Sequence, residues 1–220
     1  MQLVIGNKNH SSWSLRPWLL LRQARLTFEE VRIPLYQPDT RSHLTRYSSW
    51  GRVPVLIDGD VTVWESLAIC EYLAETYPEC KLWPSAREAR ALARSVSAEM
   101  HAGFSNLRHE LSMDCRTQHA RFPLSEPTRR ELDRIETIWG ECRSRYAARG
   151  PFLFGEFSVA DAMYAPIALR GQTYSIPWSE VSARYVAAIL ALPDLQAWIS
   201  EARAEPERLP HLERRPNVPH

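Results

Sequence analysis

The sequence predicts an α/β unit at the N-terminus followed by an all-helical remainder. Three observations point there. Short apolar runs alternate with helix-like stretches as far as Pro78, an Asp58-Gly59 pair sits between two such runs, and past residue 86 apolar residues recur only at helical spacing.

Leu3-Val4-Ile5 reads as the first strand. It leads into His10-Ser11-Ser12-Trp13-Ser14-Leu15-Arg16-Pro17 and then an apolar helix. Proline lacks an N–H and collides with the carbonyl four residues back, so it belongs in a helix's first turn. The helix is therefore expected to begin between Ser12 and Leu15. That places up to three serine hydroxyls at a helix N-terminus, where unpaired N–H groups and the dipole favour an anion. Taken alone, the turn reads first as a plain N-cap, since serine is among the preferred caps.

Phe28 to Leu35 alternates loosely as a second strand, and Thr40 to Ser48 suits a short irregular helix. Asp58-Gly59 joins Val55–Ile57 to Val61–Trp64 as a hairpin. Pro54 heads the first of these strands, where a missing N–H costs no ladder bond. From position alone its peptide bond is expected to be trans. Glu65-Ser66 opens an amphipathic helix carrying Leu67, Ile69, Tyr72, Leu73 and Tyr77, and Pro78 stops it.

Residues 79–86 read as a linker. Ser85 to about Cys115 reads as one long helical stretch, with Phe122-Pro123 and Glu126-Pro127 as punctuation beyond it. Leu132, Ile135, Ile138, Trp139, Cys142 and Tyr146 trace one face of the next helix. Ser158 and Asp161 form a capping-box pattern ahead of a helix reaching about Leu169. Two more helices are expected around Ser182–Leu192 and Asp194–Arg203, and four prolines from Pro206 onward mark an extended tail. The expected division is 1–78, a linker at 79–86, a helical domain at 87–205 and a tail at 206–220.

At 220 residues, 45% hydrophobic and 24% charged, the chain can bury a real core and reads as a soluble globular protein. A net charge of +1 offers no basic excess for nucleic acid. No apolar run reaches the length of a membrane span, and the N-terminus has no secretory pattern. The four cysteines form no CxxC pair and the seven histidines no HExxH or HxxxH, so no metal site is expected. A reduced, cytoplasmic setting follows from the same cysteine usage.

Four pieces in order and spacing resemble the cytosolic glutathione transferase family: the serine-bearing helix turn, Val53-Pro54 before a strand, Glu65-Ser66 opening a helix, and Phe157-Ser158-Val159-Ala160-Asp161. The first three resemble that family's thioredoxin-like N-terminal domain and the fourth the capping box of its all-helical C-terminal domain. Ser11-Ser12-Trp13-Ser14-Leu15-Arg16 is most similar to the zeta-type pattern, with Trp13 in place of its cysteine. Met100 to Arg108 resembles a bacterial subgroup of zeta-like members.

The resemblance implies glutathione as co-substrate, a small electrophile as partner, no metal and a homodimer. It implies a cis Pro54, with the Val53 backbone binding the cysteinyl part like an added strand. Glu65 and Ser66 would hold the γ-glutamyl end, and Arg52 would approach the glycyl carboxylate. Trp13, Met100, His101, Phe104 and Arg108 would line the electrophile site. Ser11, or else Ser12, would donate a hydrogen bond to the thiolate.

Lowering a thiol pKa by roughly two units needs about 2.7 kcal/mol. One hydrogen bond to a charged group supplies about 1.5–3 kcal/mol and a helix N-terminus up to about 1. Serine and helix could therefore suffice without a cation. His10 beside the serines suggests a Ser–His pair, but adjacent residues rarely face each other and no acidic orienter follows. Three further readings stand beside the transferase: a zeta-type cis–trans isomerase, a thiol-disulfide enzyme and a non-catalytic interaction module of the same fold. The second of these would want a cysteine in the first helix turn, and the earliest here is Cys70.

Overall fold

The computed structural model describes residues 1–120, 122–210 and 212. Residues 211 and 213–220 of the expected tail lie outside the described residues. The N-terminal part runs β1 (Gln2–Ile5), α1 (Ser12–Gln23), β2 (Glu29–Arg32), α2 (Thr40–Leu44), β3 (Val55–Asp58), β4 (Val61–Trp64) and α3 (Ser66–Thr76). The helical part runs α4 (Arg87–Ala102), α5 (Ser105–Glu110), α6 (Glu126–Tyr146), α7 (Val159–Thr173), α8 (Glu180–Leu190) and α9 (Pro193–Ala204).

The sheet order is β2-β1-β3-β4, with β1 parallel to β2 and antiparallel to β3, and β3 antiparallel to β4. Val4 lies opposite both Val31 and Val55. The period of two along β1 sends Leu3 and Ile5 into the main core and Val4 into a second cluster with Ile33, Leu44, Val53 and Val55. Both faces of β1 are thus covered. The β3–β4 turn passes through Gly59 at φ +58, a conformation that glycine adopts without a steric penalty.

Helix α1 begins at Ser12, the earliest residue of the expected window. This leaves Pro17 in the second turn, where it offers no N–H to the Trp13 carbonyl. Ser12 and every residue from Ser14 to Leu21 are buried, because α1 lies between the sheet and the helical part. Helix α7 is buried from Val159 to Gly171 and at Thr173, and packs against α1 and α4. Lys8 fastens α9 to the sheet: its Nζ meets Glu30 at 2.7 Å and Glu201, over the rings of Trp18 at 5.1 Å and Trp198 at 5.3 Å.

Two helical expectations change. The stretch from Ser85 to Cys115 is broken after Ala102, since Phe104 takes φ +61 and Gly103 passes close to the Glu99 carbonyl. A Cβ on Gly103 would stand 2.9 Å from that oxygen. Helix α6 starts at Glu126, ahead of the expected run, because Ser125 caps it and Pro127 occupies its first turn. Proline there marks a beginning.

The capping box of α7 forms as expected. Asp161 accepts the Leu153 N–H at 3.0 Å, the Ser158 N–H at 2.9 Å and the Ser158 hydroxyl at 3.1 Å. Burial nonetheless pushes its carboxyl up to about 6, desolvation outweighing these donors. Asp161→Ala strands the Leu153 and Ser158 N–H groups and should lower stability by about 2–4 kcal/mol. Ser158→Ala should cost about 1 kcal/mol. Urea unfolding checks both; equal midpoints would show that the box holds nothing.

Candidate functional site

The serine turn opens α1 at the boundary between sheet and helices. Ser11 is the N-cap: its Oγ accepts the Ser14 N–H at 3.4 Å and pairs with the Ser14 hydroxyl at 2.7 Å. Ser14 Oγ in turn accepts the Gly6 N–H at 3.1 Å. When Ser14 donates within that pair, the Ser11 O–H is directed outward and the chain of donors polarises it. Ser12 Oγ accepts from Arg170 Nη2 of α7 at 3.4 Å.

Trp13 gathers the other predicted residues. Its ring contacts the Arg16 guanidinium at 4.3 Å, the Arg108 guanidinium at 4.8 Å and the edge of His101 at 5.4 Å. Arg16 Nη1 donates to Ser66 Oγ at 3.2 Å, and His101 Nε2 lies 3.4 Å from the Glu65 carboxylate. Glu65 holds φ +72 at the N-cap of α3 without capping it, which leaves its carboxylate facing His101. The α1 and α3 N-termini are therefore joined through two residues of the first and the last of these contacts, Arg16 and His101.

Burial lowers the His101 pKa, Arg16 adds to the fall, and Glu65 opposes it, so the imidazole is neutral at pH 7. Arg16 is fully buried, and its own pKa is lowered by desolvation and then by Arg108 and Arg170. Among the described residues its Nε and Nη2 have no hydrogen-bond partner.

The remaining predicted residues are spread more widely. Val53 and Pro54 are buried beside β3, and their peptide bond is cis, correcting the trans isomer expected from position alone. Arg52 is exposed, 5.5 Å from the Trp50 ring. Met100 is 0% and Phe104 7% exposed, so both belong to the core, drawn in by the turn that ends α4. Arg108 reaches back to the carbonyls of Gly103, at 3.1 Å, and Met100. His10 is turned from the serines, its ring bonded to the Met113 carbonyl at 3.0 Å and the Asn9 amide at 2.9 Å. Among the described residues no three His, Cys, Asp or Glu side chains cluster to hold a metal, and no helix is long and apolar enough to cross a membrane.

Residues 10–76 match the glutathione S-transferase N-terminal domain family. A probable maleylacetoacetate isomerase of Vibrio cholerae is 33% identical over 115 residues, 49% of this chain and 53% of that one. The rat (Rattus norvegicus) maleylacetoacetate isomerase is 26% identical over 78% of each. A glutathione transferase homologue from Burkholderia, solved with bound glutathione, superposes with a TM-score of 0.70 at 26% identity, covering 93% of this chain and 98% of that one.

The N-terminal part of the chain is similar to the glutathione S-transferase family, and the whole chain has the fold of a glutathione transferase homologue.

That fold is a thioredoxin-like α/β unit joined to helices, and the relatives matched over part of the chain include probable maleylacetoacetate isomerases. The matched stretch spans about half the length of the first curated relatives, 53% and 48%.

Sequence reasoning missed four residues here: Ser14, Arg16, Arg170 and Glu205. The last clamps the loop that enters the serine turn. Its buried carboxylate accepts the backbone N–H groups of Lys8 at 2.6 Å and Asn9 at 3.2 Å, and Arg32 approaches it at 3.4 Å. Arg116 holds the carbonyls of Glu205 and Glu207, while Asn9 Oδ1 accepts the Cys115 N–H at 2.8 Å. Glu205→Ala leaves two buried N–H groups without an acceptor and should cost about 2–4 kcal/mol in urea unfolding. Glu205→Gln keeps one acceptor oxygen and should cost clearly less. Equal losses would contradict the clamp.

Proposed function

We propose that this chain is a glutathione transferase that holds the glutathione thiolate at the start of α1 for attack on small electrophiles. The observation that supports this most is the convergence of the serine turn, Glu65 and Ser66 around Trp13. In this reading Ser11 donates the hydrogen bond to sulfur and Ser12 is the alternative donor. The first-turn N–H groups of α1 add the dipole contribution.

The Val53 backbone pairs with the cysteinyl unit, and Pro54 shapes that edge. Ser66 and the α3 N-terminus take the γ-glutamyl carboxylate, Glu65 takes the amino group, and Arg52 approaches the glycyl end. Trp13, His101 and Arg108 face the electrophile; Met100 and Phe104, being core residues, support that wall from behind. A cytoplasmic homodimer with a glutathione-binding unit at 1–78, a linker at 79–86, helices at 87–205 and a tail from 206 completes the proposal.

The zeta-type cis–trans isomerase is a second reading, favoured by the relatives named maleylacetoacetate isomerase. Glutathione recovered unchanged after turnover identifies the isomerase, and a stable thioether product the transferase.

Adding glutathione to the wild-type chain at neutral pH should produce thiolate absorbance. Ser11→Ala should abolish that absorbance while glutathione still binds. Thiolate that persists in both Ser11→Ala and Ser12→Ala would falsify the serine mechanism.

A further inference from the structure

Two kinds of buried cation occur among the described residues. Lys8 is enclosed by the carboxylates of Glu30 and Glu201 and by two tryptophan faces, so its charge is matched within the protein. Arg170 is different. It is buried on α7, and its three hydrogen bonds go to neutral oxygens: the Leu111 carbonyl at 2.6 Å, the Pro166 carbonyl at 3.3 Å and Ser12 Oγ at 3.4 Å. The nearby guanidiniums Arg16 and Arg108 add like charge. A buried charge without a counter-ion is strongly unfavourable. Stapling two carbonyls alone would not require one.

We propose that Arg170 is the cation that sets the acidity of the bound thiol, acting through Ser12, with the ligand's thiolate as its missing counter-ion. This rests on the reading of the serine turn as the thiolate site, with Ser12 donating to the sulfur beside Ser11. The guanidinium occupies a lone pair of Ser12 Oγ, which turns the Ser12 hydrogen away from Arg170 and strengthens it as a donor. The charge itself also favours an anion across that hydroxyl. Arg170 touches no ligand atom in this arrangement and is a positioning residue. The residue comes from the helical part, so closure of the site depends on the α1–α7 contact.

Arg170 itself keeps its charge through neutral pH. Burial draws Arg170 down to about 9, still protonated at pH 7. Arg16 faces it from α1, Arg108 from α5, Tyr174 from its own helix, and the Cys115 thiol, pushed up to about 12, from the loop beyond α5. On the same side Asp114 is held below the usual carboxylate range and turns to Thr117 and the Arg116 N–H, with His10 facing it; His119 stacks on Tyr174 at 5.2 Å. From α4, His101 faces Arg16 and Arg108 and is neutral. Helix α8 presents no described charge to Arg170.

The test is the pH titration of thiolate absorbance for glutathione bound to full-length wild type, Arg170→Gln, Arg170→Lys, Ser12→Ala and the double variant Ser12→Ala/Arg170→Gln. The midpoint should rise by about one unit in Arg170→Gln and stay near wild type in Arg170→Lys. The double variant should move it no further than the larger single change, because both remove one interaction. An unmoved midpoint in a folded Arg170→Gln overturns the proposal, and additive shifts overturn the route through Ser12. Should Arg170→Gln not fold, Arg170→Lys decides: a midpoint near wild type supports the charge, and a rise as large as that of Ser12→Ala overturns it. A wild type with no thiolate signal at any pH instead overturns the thiolate site itself, and this proposal with it.

Discussion

Helix α1 is enclosed along most of its length, and the polar groups on its buried part must therefore find their partners inside the protein. That constraint organises the structure. Leu15, Leu19, Leu20 and Leu21 supply the apolar faces that hold it between sheet and helices. Ser11, Ser12, Ser14 and Arg16 are buried with it and are served by Gly6, Arg170 and Ser66. An unserved polar group at this depth costs about 1–3 kcal/mol, so the partners are as much a part of the fold as the leucines. The service stops at two nitrogens of Arg16 and around the charge of Arg170, where the proposed thiolate would supply the missing anion.

The two halves contribute differently to that site. The sheet side brings the serine turn and the α3 N-terminus, which offer backbone N–H groups, and the proposed reading adds the Val53 N–H beside cis Pro54. The helical side brings charge: Arg108, Arg170 and, from the segment beyond α9, the Glu205 carboxylate that fixes the loop before the turn. Trp13 stands between them, in contact with Arg16 on one side and Arg108 on the other.

Local chemistry made much of this legible in the sequence. Asp58-Gly59 located the hairpin and Ser158 with Asp161 the start of α7, because each signal acts within four residues, whereas Pro17 only bounded the start of α1, which lies five residues before it. The same reasoning could not reach Arg170, whose partner Ser12 is 158 residues away, or Glu205, 197 residues from Lys8. An arginine in a helix reads as a solvated face until its neighbours are known. The break after Ala102 was equally hidden, since Gly103 within an apolar helical run has no local signal that separates a kink from a continuous turn. Met100 and Phe104 were misread for a related reason: helical spacing shows which residues share a face, but that face looked to the core.

The account stands on where the sulfur of glutathione rests, and a crystal structure of the glutathione complex measures that directly. The account predicts sulfur within hydrogen-bond distance, about 3.0–3.5 Å, of the Ser11 or Ser12 hydroxyl, with the γ-glutamyl carboxylate at Ser66. Sulfur bound elsewhere would contradict it, for instance in the cavity of about 560 Å³ lined by Trp18, Arg22, Phe28 and Glu30.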